Sequence, residues 1–139
     1  MSVRAYDSKE VSLVVGGVVI TGVASGSFIT VERAEDDFTE YVGAQGEVAM
    51  SETNNKTGEI KVTLDSTSPS NVFLYRQSKK RGKSALVDVT LVDPNEDKNI
   101  RWTSPEARIR RPANYETSNE IVENEWVFFC SELDFNVED

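Results

Sequence analysis

Apolar and polar residues alternate along most of this chain with the two-residue period of a half-buried strand. Val11–Val15 and Val18–Gly22 are β-branched runs joined by Gly16-Gly17, a two-residue hairpin signal. A further turn is expected at Gly22–Gly26, then a strand from Phe28 to Arg33. Glu59–Asp65 is the cleanest strand of all. Ile60, Val62 and Leu64 fall on one face; Glu59, Lys61, Thr63 and Asp65 fall on the other. Later runs predict strands over Leu86–Val92, Ile100–Thr103 and Glu106–Arg111, with a polar turn at Asn95–Asn99. A last strand begins near Glu120 and bends around Ser131. Trp126, Phe128 and Cys130 share one parity and Val127 and Phe129 the other, so this strand is either sandwiched or covered by another subunit. Beyond the bend, Leu133, Phe135 and Val137 predict one buried face.

One segment breaks the period. Pro69 to about Arg81 reads as a helix, with Ser68 able to cap it and Pro69 suited to the first turn. Val72-Phe73-Leu74-Tyr75 supply apolar anchors, the C-terminal end is basic, and Gly82 is the expected terminator. The pattern therefore predicts a mainly β, single domain over residues 1–139. It is a β-sandwich or barrel-like fold of two packed antiparallel sheets with one α-helix.

Between Arg33 and Glu59 the chain makes an excursion, residues 34–58, far longer than the about two to five residues of a tight hairpin. It is acidic, is punctuated by Gly43, Gly46 and Gly58, and contains the alternation Glu47-Val48-Ala49-Met50. An extended hairpin is expected here, Phe38–Gln45 pairing back on Gly46–Met50. A segment of this kind contacts a partner, and Glu35, Asp36, Asp37, Phe38, Tyr41, Val42, Gln45, Val48, Met50 and Asn54 are its candidate contact residues.

Charge narrows the partner. The formal net charge is −9, the opposite of what gripping nucleic-acid phosphates requires. The charge is also segregated. Residues 114–139 hold eight acids and no Lys or Arg, whereas Arg76, Lys79, Lys80, Arg81 and Lys83 cluster at the helix end. That cluster either complements the helix dipole or forms a patch for an acidic neighbour, which could be a second copy of this chain. Head-to-tail contact of this kind generates rings and stacks.

Enzyme chemistry has few tools here. There is no histidine and one cysteine, Cys130, set in the apolar run WVFFC. An inert buried thiol is the plain reading of it, an intersubunit disulfide or reactive thiol the alternatives. Asp93, Asn95 and Asp97 occupy the first, third and fifth places of a calcium-loop pattern, but Lys98 and Ser104 stand where Gly and Glu are needed, which favours a solvated turn. No cofactor, metal or small-molecule substrate is expected. The polar start MSVRAYDSKEVSLVV lacks the apolar core of a secretory signal, so assembly in the cytoplasm is the expectation.

Two stretches carry a resemblance: AYDSKEVSLVVGGVVITGVASGSFITVERAEDDFTEYVGAQGEVA, then NNKTGEIKVTLDSTSPSNVFL leading into the helix. Together they resemble the tail tube proteins of contractile, long-tailed phages over about residues 5–75. The second half agrees in order of elements, with RRPAN and the Trp126 strand the nearest matches. The resemblance implies hexameric rings of this chain stacked into a tube, with the 34–58 loop reaching a neighbour. It implies a tail sheath, tape measure protein, baseplate and tail terminator as partners, and double-stranded DNA passing through the lumen without specific binding. The virion tail is the implied location, after assembly in the host cytoplasm. Glu32, Glu59, Lys61, Thr63 and Asp65 are candidate lumen residues. The basic cluster is a candidate subunit or sheath contact. Rival contexts are a bacteriocin or type VI secretion tube, and a rival class is a monomeric β-sandwich binding module.

Overall fold

The computed structural model describes residues 11–21, 29–93 and 100–137. The expected turns at Gly22–Gly26 and Asn95–Asn99, and with them Phe28, Asn95 and Asp97, lie outside the described residues. Within them the protein is antiparallel β with one helix, as the alternation predicts. The strands are β1 (Ser12–Val15), β2 (Val18–Val19), β3 (Ile29–Arg33), β4 (Phe38–Val42), β5 (Val48–Glu52), β6 (Gly58–Asp65), β7 (Val87–Asp93), β8 (Ile100–Ile109), β9 (Glu123–Cys130) and β10 (Asp134–Val137). The helix α1 spans Ser70–Ser78.

The two sheets are very unequal. Eight strands form one sheet in the order β2-β1-β7-β8-β9-β6-β3, with β10 paired to β8, while β4 and β5 form the second alone. The turn between β1 and β2 is the expected glycine pair, Gly16 and Gly17 at φ 57° and 83°, a region that L residues with a Cβ rarely enter. β6 pairs along its whole length with β9, Ile60 opposite Phe128 and Val62 opposite Trp126. All four side chains are fully buried, and they join Leu13, Val15, Leu64, Leu74, Val89 and Ile109 in one core.

Several elements differ from the sequence expectation. What reads as two strands around Ser104-Pro105 is one strand, β8. Its pairing with β7 slips between Val87 and Val89, so Val87 faces Ala107 while Val89 faces Ser104. Pro105 falls within that bulge, where its missing N–H removes no ladder bond. The same strand changes partner along its length. Residues 100–103 pair with β10, and residues 107–109 pair with β9. The bend expected at Ser131 is what permits this, and it is fixed by two donors on one carbonyl: Ser131 N at 3.1 Å and its Oγ at 2.8 Å from Glu106 O. Leu133 is buried as expected, but Phe135 and Val137 stand 44% and 62% exposed. They continue the core-facing parity past the point where a second layer covers it.

The helix is shorter than expected. Pro69 is its N-cap residue, and the first-turn N–H of Ser70 is met by Ser68 Oγ at 3.2 Å. It ends at Ser78, and a 3-10 turn over Gly82–Ala85 follows, opened by Gly82 at φ 65°. Leu74 is fully buried and Tyr75 partly so, whereas Val72 is exposed. The helix is locked to the sheet by Asn71, which is buried. Its Nδ2 donates to Asp65 O at 2.9 Å and Ser68 O at 3.2 Å, and its Oδ1 accepts from Trp126 Nε1 at 3.0 Å. Tyr75 meets the Trp126 ring edge-on, with centroids 4.7 Å apart.

Candidate assembly surfaces

The excursion is a hairpin held away from the body. β4 and β5 pair only with each other, Phe38 opposite Glu52 through Val42 opposite Val48. Residues 43–47 connect them, closed by Gly43 N on Glu47 O at 2.7 Å and Gly46 N on Gly43 O at 3.0 Å, with Gly46 at φ 86°. The register thus runs further along β5 than the sequence suggested, to Glu52, and Gln45 belongs to the turn rather than a strand. Every residue of both strands is exposed.

The root of this arm is firmly tied. Ala34 N donates to Thr57 O at 3.0 Å, and Thr53 N to Asp37 O at 2.7 Å. Arg33 pairs with Asp37 at 2.7 Å and donates from Nε and Nη2 to Leu133 O at 3.2 and 3.0 Å. Leu133 N in turn donates to Lys56 O at 2.8 Å. Asn55 Oδ1 accepts from both Thr57 N and Thr57 Oγ1, an Asx turn that sets the return path. Fixed at its base and bare along its length, the arm presents an uncovered surface.

Its composition says the same. Phe38, Tyr41, Val42, Val48 and Met50 are 45–70% exposed, a concentration of large apolar side chains that marks an interaction site. Directly opposed residues of a pair share a face. Phe38, Glu40, Val42, Val48, Met50 and Glu52 therefore lie on one side, and Thr39, Tyr41, Ala49 and Ser51 on the other. Glu35, Asp36 and Asp37 sit at the root, with Asn54 on the returning strand's exit; all four are exposed.

The five candidate lumen residues form part of one continuous wet face. Glu32 lies opposite Glu59 across β3 and β6. Glu59, Lys61, Thr63 and Asp65 face Phe129, Val127, Glu125 and Glu123 across β6 and β9. Sequence parity from Trp126 would have added Glu123 and Glu125 to the set. The structure also brings in Arg108, opposite Phe129 on β8, and Arg110. Arg110 pairs with Glu59 at 2.7 Å and lies over the Phe129 ring at 5.0 Å. That contact leaves Phe129 half-buried without a second protein layer over it. The face carries the carboxylates of Glu32, Glu59, Asp65, Glu123 and Glu125 against the cations of Lys61, Arg108 and Arg110. It is acidic in balance, but not uniformly so.

At the helix end, Arg76, Lys79, Lys80, Arg81 and Lys83 are all exposed. Arg81 folds back so that Nη1 donates to the carbonyls of Ser78 and Lys80, both at 3.2 Å. It thereby satisfies helix-terminal acceptors as a cation there should. No ion pair among the described residues engages the other four. Arg76 in the last turn and Lys79 at the C-cap also lie where a cation complements the helix dipole, while Lys80 and Lys83 lie beyond the helix.

Cys130 is fully buried beside Ser104, and burial pushes its thiol above its ordinary value. A thiolate is the reactive form, so native protein at pH 7 is expected to stay unlabelled by an aromatic disulfide reagent and to label fully once unfolded. Rapid stoichiometric labelling of the native chain would contradict that placement. Among the described residues no group of carboxylates and cysteine is arranged to hold a metal ion.

Among the described residues the chain is an antiparallel β protein with a single helix and a bare, tethered hairpin arm. The sequence pattern of the Bacteriophage PhiTE tail tube protein family matches residues 11–137. This chain belongs to that family and is a structural component of the phage tail tube. It is 29% identical over 119 residues to "Structural protein ORF10" of Pseudomonas phage KPP10, covering 84% of this chain and 68% of that one. The fold also matches solved contractile injection machines. Against the PVC sheath/tube terminator in its extended state the TM-score is 0.65 at 15% identity, covering 99% of this chain and all (100%) of that one. Against the anti-feeding prophage tube-terminating cap it is 0.63 at 13% identity, covering 99% and 95%. For the PVC sheath-tube complex it is 0.61 at 16% identity, covering 96% and 93%. At such identities the likeness is one of fold.

Proposed function

We propose that copies of this chain close into hexameric rings, that the rings stack into the tail tube, and that the genome leaves through the lumen. The observation that carries this reading is the arm: a two-stranded sheet with every strand residue exposed, rooted by Arg33 and Leu133 to the body. An isolated hairpin is at best marginal in water, and this one gains its cover from a neighbouring subunit. The main sheet supports the same reading. Among the described residues it ends at β2 and β3, edges that a ring of sheets would pair and so remove. The tail sheath, tape measure protein, baseplate and tail terminator are the partners outside, inside and at the ends. Assembly takes place in the host cytoplasm before the tail joins the virion.

The wet face of β3, β6 and β9 lines the lumen in this proposal. DNA held by Lys and Arg gains affinity through counterion release, and a conduit must not hold its cargo. Glu32, Asp65, Glu123 and Glu125 repel phosphate, while Glu59 neutralises Arg110. Reversing Glu32, Asp65 and Glu125 to Lys in an infectious phage is expected to leave tubes intact in the microscope while slowing genome release. Unaltered release kinetics in such a phage would sink the lumen assignment.

A further inference from the structure

The arm and the helix end are complementary in two respects at once. From Ala34 to Asn55 the chain holds six carboxylates and no Lys or Arg. From Ser66 to Val87 it holds five cations and no carboxylate. Each surface also mixes its charge with exposed apolar groups. On the arm, Glu40 and Glu52 share a face with Phe38, Val42 and Met50. On α1, the exposed Val72 lies one turn from Arg76, with Lys79 at the C-cap and Lys80 just past the helix. Within one chain the two surfaces do not meet. β4 and β5 pair only with each other, and no ion pair among the described residues joins an arm carboxylate to the helix end.

The other basic group is a poorer acceptor. Arg110 is already occupied by Glu59, and the cleft beside Arg111 contains Glu123 and Glu125. Glu116 and Glu120 share a cleft with Val72 and Tyr75, so the approach open to an acidic arm is the C-terminal end of α1, where Arg76, Lys79, Lys80 and Lys83 are exposed.

We infer that the arm of one copy docks on the C-terminal end of α1 in a second copy, its Glu40 and Glu52 meeting Arg76, Lys79 and Lys80. This rests on the tube reading and adds the acceptor to it. The contact is heterologous, donor surface differing from acceptor surface, so it propagates into rings or stacks rather than closing a dimer. Because the charges are exposed, the contact weakens with salt.

The test is a charge swap read by negative-stain microscopy and sedimentation. Lys79→Glu with Lys80→Glu, and separately Glu40→Lys with Glu52→Lys, are each expected to raise the concentration needed for assembly about tenfold or more. Combining all four is expected to return it to within about threefold of the parent. A control joins the helix-end pair to Glu32→Lys and Glu125→Lys, on the sheet face opposite α1, which restores net charge without restoring the contact, and it is expected not to rescue. If the helix-end variant assembles like the parent, or if the control rescues as well as the swap, this docking is wrong while the tube reading stands. If the parent chain itself never forms rings or tubes, both fall.

Discussion

Replacing residues 37–54 by a short Gly-Ser linker is expected to give a folded chain that no longer polymerises. The excised residues contribute no side chain to the buried core. What the body loses is the Arg33–Asp37 pair, whose aspartate is 76% exposed and whose worth is correspondingly small, about 0–1 kcal/mol. The Ala34–Thr57 bond and the Arg33–Leu133 bonds remain to close the root. Thermal melting should therefore shift by no more than a few degrees, roughly the equivalent of 1 kcal/mol in a domain of this size. Sedimentation should show monomer under conditions where the intact chain forms large particles. Ordinary tubes from the shortened chain would remove the arm from the assembly mechanism altogether.

Trp126→Ala is expected to be the most damaging single substitution. The ring is fully buried at the centre of β9, faces Val62 across the β6 ladder and receives the edge of Tyr75. Truncation leaves a large cavity and costs about 3–5 kcal/mol. It also strips Asn71 Oδ1 of its donor, so a buried acceptor is left unpaired at a further cost of about 1–3 kcal/mol. In a domain of this length such a loss corresponds to a melting temperature lowered by about 10 °C or more. Trp126→Phe restores most of the volume but not the donor, and should recover only part of the loss. An alanine variant melting with the parent would contradict the central place given to this side chain.

The parts of this fold that were legible in the sequence are those set by local rules. Ile60, Val62 and Leu64 alternate because one face of β6 packs against the core, and period-two patterning reports that directly. Gly16-Gly17 announces a turn through its backbone geometry alone. The arm was legible for a different reason: a long acidic excursion with its own alternation has no place inside a compact sheet. What sequence could not supply was chosen by tertiary contact. Pro105 reads as a breaker, yet a bulge absorbs it and β8 runs through. Phe135 and Val137 keep the core parity but sit on a strand paired only to β8, beyond the covered region. The Arg110–Glu59 pair and the Asn71–Trp126 bond join residues far apart in the chain, and no spacing rule announces either. Glu123 and Glu125 could have been placed on the wet face by counting back from Trp126.

The central claim is that this chain assembles with itself through its arm, and a cryo-electron microscopy reconstruction of the purified, concentrated protein tests it most directly. The expected map is a tube of stacked six-fold rings, each arm lying on a neighbouring subunit and the β3–β6–β9 wet face lining a channel wide enough for double-stranded DNA. A protein that stays monomeric at high concentration, or a tube in which the arm projects freely into solvent, would contradict it.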